Sequence, residues 1–267
     1  MRERKQHAGI LLKNFYIALV LLFIYLPMFL VIIFSFNTSK MNIVFEHFTL
    51  QWYGTFFQNR TLMDSLWNSL VVAVVTTLVA TVIGTIGAVG MSKYNFPLKK
   101  LIDKLLYIPI VIPEIVLGVA LLCIYSFSNI TLGLVSIILA HVTFCIPFVV
   151  ITVRARLSGF DKNLEEAAMD LGANRFLTFI KVTLPLIMPG VLSGAMLSFT
   201  LSLDDVIISF FCSGPGSTTL PLKILSMVKT GVTPEVNALS TVIMFVIILV
   251  ISLSTGVQVK KLKRKSY

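Results

Sequence analysis

The sequence contains no Gly-x-x-x-x-Gly-Lys-Ser/Thr stretch, so it offers no cradle for nucleotide phosphates and is not expected to hydrolyse ATP itself. It holds only three cysteines, Cys123, Cys145 and Cys212. All lie in or at the edge of apolar stretches, with neither metal-ligand spacing nor a disulfide framework, and read as packing residues. No Ser/His/Asp, Cys/His or metal-binding constellation stands outside those stretches, so no catalytic residue, metal ligand or cofactor is assigned to the chain. Charge is scarce as well: Asp, Glu, Lys and Arg make up 13% of 267 residues. A soluble domain of this length is excluded on that ground. There is no low-complexity linker, and no long-range internal repeat of the kind a single-chain secondary transporter carries.

What fills the chain is apolar. Hydrophobic residues make up 57% and the mean hydropathy is +0.93, so the bilayer is the expected solvent. Six stretches are each long enough to cross a hydrocarbon layer of about 30 Å, which takes about 20 helical residues. They fall near 14–36, 67–92, 104–127, 131–153, 186–212 and 235–258. The expected fold is therefore all-α and integral to the membrane, one transmembrane domain over 1–267. The first stretch is too long for a signal h-region and no small-residue cleavage site follows it, so it is read as a retained span.

Basic residues orient the spans. Eighteen of the 22 Lys and Arg lie in the N-terminus, the 93–104 loop, the 154–181 loop and the tail. The intervening loops hold only Lys40, Arg60, Lys223 and Lys229. That asymmetry places both termini in the cytoplasm by the positive-inside rule. The net charge of +10 is then mostly topology and lipid contact, and the KKLKRK tail is a membrane-surface segment rather than a nucleic-acid patch.

One polar, helix-patterned island stands on the basic side, within 159–185. Gly159-Phe160-Asp161 interrupts the apolar pattern, Asp161 can cap the helix that follows, and Glu165 and Glu166 sit at its positive end. Leu164, Ala167, Ala168 and Leu171 share one face at helical spacing. Gly172 stands where a left-handed residue would end the helix, and Asn174 can cap a second one bearing Phe176, Leu177, Phe179 and Ile180. Leu184-Pro185 closes the unit. The small residues allow close approach of a partner, and Glu166 offers it a charge. The same pattern also suits a loop lying on lipid, and the residues alone leave both readings open.

The string Glu166-Ala167-Ala168, then Gly172, Val182 and Leu184-Pro185 resembles the cytoplasmic signature of permease subunits of ATP-binding-cassette importers of the type I fold, with Val182 in place of Ile. Further along, HVTFCIPFVV (141–150), RLSGFD (156–161), LSFTLSLDDVIISFF (197–211) and LPLKILSMVKTGVTPEVNAL (220–239) look most like the C-type permeases of spermidine/putrescine transporters. The resemblance implies that Glu166, Ala167, Ala168, Gly172, Leu184 and Pro185 form a coupling helix seated on an ATPase. It implies a homologous B-type permease partner, two ATP-binding subunits that carry the ATP and magnesium, and an extracytoplasmic polyamine-binding protein. The expected location is the bacterial inner membrane, the expected activity import of polyamines by alternating access.

Three acids lie inside the apolar stretches: Glu114, between Pro109/Pro113 and the rest of the third stretch, and Asp204-Asp205 in the fifth. A charge at the bilayer centre costs about 2.5–3.5 kcal/mol, so such groups usually face a cavity or a partner. Counting from a midpoint near Phe199, Asp204 lies about 7 Å towards the outer half at the helical rise. Adjacent helical residues point apart, so both aspartates are not expected to line one path equally. Carboxylates along a route suit a polycationic substrate, or another small cation. Satisfaction by Ser, Thr or backbone groups is the competing reading for each residue. His141, in the fourth stretch, reads as a hydrogen-bonded structural histidine rather than a proton carrier. A proton-coupled secondary transporter is the less favoured class, since it leaves the Glu-Ala-Ala unit unexplained.

Overall fold

The computed structural model describes residues 2–39, 44–159, 161, 163–230 and 234–265. Phe160 of the expected break, and Lys40 and Lys162 of the charge count, lie outside them. In chain order the helices are α1 (Arg2–Phe34), α2 (Gln51–Gln58), α3 (Arg60–Lys93), α4 (Lys99–Val111), α5 (Glu114–Phe127), α6 (Leu134–Leu157), α7 (Asn163–Asp170), α8 (Arg175–Thr178), α9 (Leu184–Leu203), α10 (Ile207–Cys212), α11 (Leu220–Thr230) and α12 (Pro234–Lys265). A π turn, Phe179–Thr183, joins α8 to α9. Among the described residues the only strand-like pairing is an isolated bridge between Asn37 and Phe48.

Helices dominate because hydrocarbon offers no partner to a backbone N–H or C=O, and a helix satisfies both internally. Four stretches are long and apolar enough to cross a membrane, Lys13–Phe34, Arg60–Lys93, Leu134–Leu157 and Arg175–Leu203, among the described residues. The 104–127 stretch is not one rod. α4 and α5 meet at an angle of 113°, where Ile112 is extended and Pro113 precedes Glu114. Proline disfavours helical backbone in the residue before it and cannot give its own N–H to the ladder. The 186–212 stretch is interrupted too: α9 stops at Leu203 and α10 begins at Ile207. Asp204 stands at the end of α9, and the carboxylate of Asp205 accepts the bare amides at the start of α10.

The chain forms two compact units. The first comprises 1–63 and 226–267. In it α12 packs on α1 and α2, and Asn59 Nδ2 donates to Glu235 Oε2 at 3.0 Å. The loop before α2 is organised around Asn37, whose carbonyl accepts from Trp52 Nε1 at 2.6 Å. Its amide nitrogen donates to Val44 O at 2.7 Å.

The second unit, 64–225, holds all the candidate site residues. Its centre is the α6–α9 pair. Gly190 and Gly194 stand four residues apart on the face of α9 that meets α6. A Cβ on Gly194 would fall 2.6 Å from Thr152 Oγ1 and 3.2 Å from Val149 Cα. One on Gly190 would fall 2.8 Å from Arg156 Cβ. In lipid no hydrophobic force pulls helices together, so close backbone approach through small residues supplies the packing energy. At the base of this pair Arg154 pairs with Asp103 of α4. Gly118 of α5 likewise makes room for the ring of Phe211 on α10.

Candidate functional site

The polar island folds as a helix-turn-helix, and its capping follows from its sequence. Asp161 Oδ1 accepts from Asn163 N at 3.0 Å, satisfying an amide that a helix start leaves bare. At the other end Gly172 has φ +90°. Gly172 N donates to Met169 O at 2.9 Å and Ala173 N to Ala168 O at 3.1 Å. That paired pattern around a left-handed glycine is the Schellman motif. Asn174 Oδ1 then accepts from Leu177 N at 2.8 Å and starts α8. Pro185 has no N–H with which to close a regular turn, and the chain passes into α9 through the π turn just before it.

Two faces of α7 separate cleanly. Glu166, Ala167 and Gly172 are exposed, as are Leu164, Phe176 and, at 89%, Leu171. Ala168 is half-buried and Leu184 likewise, while Pro185 is exposed. The inward face carries Glu165. Its carboxylate Oε1 lies 2.5 Å from Lys93 Nζ at the end of α3. The same oxygen accepts from the hydroxyl of Thr183 in the π turn. One carboxylate thus ties α7 to the ends of two long helices. A cavity of about 310 Å³ lies beside this knot, lined by Val89, Lys93, Tyr94, Glu165, Met169, Arg175, Thr178 and Phe179. Nothing in the sequence pattern marked the Lys93–Glu165 pair, because 72 residues separate its partners.

The three intramembrane acids come together at the two helix interruptions. Glu114 is the first residue of α5, directly after the bend. Asp204 follows the last turn of α9, and α10 packs against α5. The three carboxylates are near enough to feel one another's charge. Their surroundings differ. Glu114 and Asp204 are exposed, and neither carboxylate has a hydrogen bond or ion pair to another residue among the described residues. Asp205 is 8% exposed and fully engaged. Its Oδ1 accepts from Ile208 N at 3.2 Å and its Oδ2 from Ser209 N at 2.7 Å, which caps α10. Oδ2 also lies 3.2 Å from His141 Nε2. His141 reaches Ser202 Oγ through Nδ1 at 2.8 Å. The sequence leaves Asp204 and Asp205 as equal candidates; the structure gives one to the outside and the other to a buried network.

The geometry offers two pieces of chemistry. An exposed apolar ridge with a free carboxylate, rigidly capped at both ends, suits docking of a protein groove. Two unpaired carboxylates at paired helix breaks can replace the hydration shell of a cation. Among the described residues no group of three or more His, Cys, Asp or Glu is arranged to hold a metal ion.

Known proteins share both sequence and fold with this chain. The family profile described as binding-protein-dependent transport system inner membrane component matches residues 80–265. The spermidine/putrescine transport system permease protein PotC of Escherichia coli (strain K12) is 43% identical over 236 residues, covering 88% of this chain and 89% of that protein. The putrescine transport system permease protein PotI of the same organism is 40% identical over 229 residues, covering 83% and 82%. Among solved structures, a bacterial ABC transporter involved in the import of the acidic polysaccharide alginate has a chain that aligns with TM-score 0.73. The alignment covers 96% of this chain and 97% of that one at 15% identity, a likeness of fold alone.

Proposed function

The chain belongs to the family of inner-membrane components of binding-protein-dependent transport systems, and from that premise we propose that it is the permease subunit through which an ATP-driven importer moves spermidine or putrescine into the cytoplasm. The observation that carries the substrate class is the pair of exposed carboxylates, Glu114 and Asp204, at two adjoining helix breaks. The names of the relatives at 43% and 40% identity agree with it. Interrupted helices are where transporters commonly place ion and substrate sites, because unwound backbone is tolerated only against a cavity or protein.

In this reading the chain crosses the membrane six times with both termini in the cytoplasm, the bent α4–α5 pair acting as one broken span. The eighteen clustered basic residues support that orientation. A homologous permease completes the pathway, an extracytoplasmic binding protein delivers the polyamine, and two ATPase subunits bind ATP and magnesium. The ridge of Leu164, Ala167, Leu171 and Phe176, with Glu166, Ala168 and Gly172 around it, seats in the ATPase. Leu184 and Pro185 carry its displacement into α9. Glu165, through Lys93 and Thr183, gives the same displacement a rigid path into α3. Closure of the ATPases then rotates the spans and opens the acids outward, the alternating-access step.

The test is uptake by the complete importer in proteoliposomes, with and without internal ATP. ATP-dependent spermidine or putrescine uptake is expected, with KM raised in Asp204→Asn and Glu114→Gln. Uptake that persists without ATP and collapses with the proton gradient would overturn the reading.

A further inference from the structure

Asp204 and Asp205 are neighbours in sequence and opposites in environment, and the residue that separates them is His141. Its ring is 1% exposed and bonded at both nitrogens. Nδ1 lies 2.8 Å from Ser202 Oγ, before the break. Nε2 lies 3.2 Å from Asp205 Oδ2, in the break, and 3.3 Å from Ser209 Oγ, after it. From α6, one imidazole therefore clasps both sides of the gap between α9 and α10. Asp204 N still donates to Thr200 O at 3.2 Å at the end of α9, and Val206 O accepts from Phe210 N at 2.9 Å at the start of α10. Asp205, between them, is turned inward by its bonds to Ile208 N and Ser209 N and by the clasp.

α6 also holds the far end of α10, where Ser136 Oγ lies 2.8 Å from Cys212 O. On its other side α10 presents Phe211 to the space left by Gly118, one turn into α5 from Glu114. The position of α10 thus sets Asp204 relative to Glu114.

We propose that His141 is a positioning residue of the cation path: it takes Asp205 as a buried partner and thereby fixes Asp204 in the outward register beside Glu114. The proposal rests on the reading of Glu114 and Asp204 as the carboxylates met by the substrate. His141 touches no substrate in this scheme, and Asp205 is withdrawn from the path.

The test uses the complete importer in proteoliposomes, with spermidine uptake normalised to the amount of assembled complex. His141→Gln keeps an N–H donor near the place of Nε2 and so keeps the bond to Asp205. His141→Asn keeps a polar atom only near Nδ1 and loses it. The expected result is a KM within about twofold of wild type for His141→Gln and raised about tenfold for His141→Asn, the loss of a hydrogen bond to a charged group. Asp204→Asn serves as the reference that reports the path itself. Raised KM in Asp204→Asn with wild-type KM in His141→Asn overturns the positioning role alone. Equal KM values for the Gln and Asn variants, or a fall only in maximal rate, also overturn it. A wild-type KM in Asp204→Asn instead overturns the path on which the proposal stands. Should His141→Asn fail to assemble, Ser202→Ala and Ser209→Ala loosen the clasp from either side, and wild-type KM in both overturns the proposal.

Discussion

Replacing Glu165 isolates the link between the island and the long helices, because its single oxygen serves two donors of different kinds. Lys93 is 29% exposed at its side chain and Glu165 14%, so the ion pair is partly shielded, yet the ammonium can regain water when its partner is lost. Removing the charge with Glu165→Gln, which keeps an acceptor for Thr183, should then cost about 1 kcal/mol, the upper end for exposed pairs. Glu165→Ala also strands the hydroxyl of Thr183, a residue with no exposure. An orphaned buried hydroxyl adds about 1–3 kcal/mol. Since each 1.4 kcal/mol is tenfold in an equilibrium, local opening should rise about fivefold in the Gln variant and about 30-fold or more in the Ala variant. Hydrogen exchange of the amides of Leu171, Gly172 and Ala173 reads this directly, because each is bonded to a carbonyl of α7. Amides of α6 serve as the control and should not change. Equal exchange in the Gln and Ala variants would refute the reasoning, and so would faster exchange spread equally over α6.

Two further outcomes are expected. Gly172→Val places a β-branched side chain at φ +90°, which costs about 1–2 kcal/mol of backbone strain, though a Cβ there meets no atom within 4 Å. Co-purification of the ATPase and ATP-driven uptake should fall while membrane insertion is unchanged, and Gly172→Asn, which tolerates the left-handed region, should be milder. Gly194→Leu drives a side chain into Thr152 and Val149 and should destabilise the α6–α9 pair by at least the 1–3 kcal/mol typical of overpacking. A lowered midpoint of thermal inactivation in detergent checks it, and an unchanged midpoint refutes the close-approach role.

The island was legible because its signals are local. Asp161, Gly172 and Asn174 are cap residues acting within three positions of themselves, and the spacing of Leu164, Ala167, Ala168 and Leu171 needs only the helical period. The Gly190–Gly194 spacing is equally local. Glu165 was of another kind. Its role depends on Lys93 and Thr183, and no periodicity links residues brought together by tertiary packing.

The acids show where the limit lies in physical terms. Composition implies that carboxylates in an apolar chain face a cavity or a partner, because the cost of burial is independent of the fold; the structure gives a buried partner to Asp205. Treating 186–212 as one rod assigned Asp204 and Asp205 directions 100° apart on a continuous helix. The structure breaks the helix between them and their successors, so their separation comes from capping rather than from helical phase. Asp205 does at α10 what Asp161 does at α7: it accepts amides that a helix start leaves unpaired. The difference is the solvent. At the surface water could replace Asp161, whereas inside the unit the cap needs a further hydrogen-bond partner, and His141 stands at that place. A carboxylate in the membrane is thus explained by the helix end it serves before it is credited to a substrate. By that criterion Glu114 and Asp204, neither of them bonded to another residue among the described residues, are the pair that the proposed function assigns to the cation.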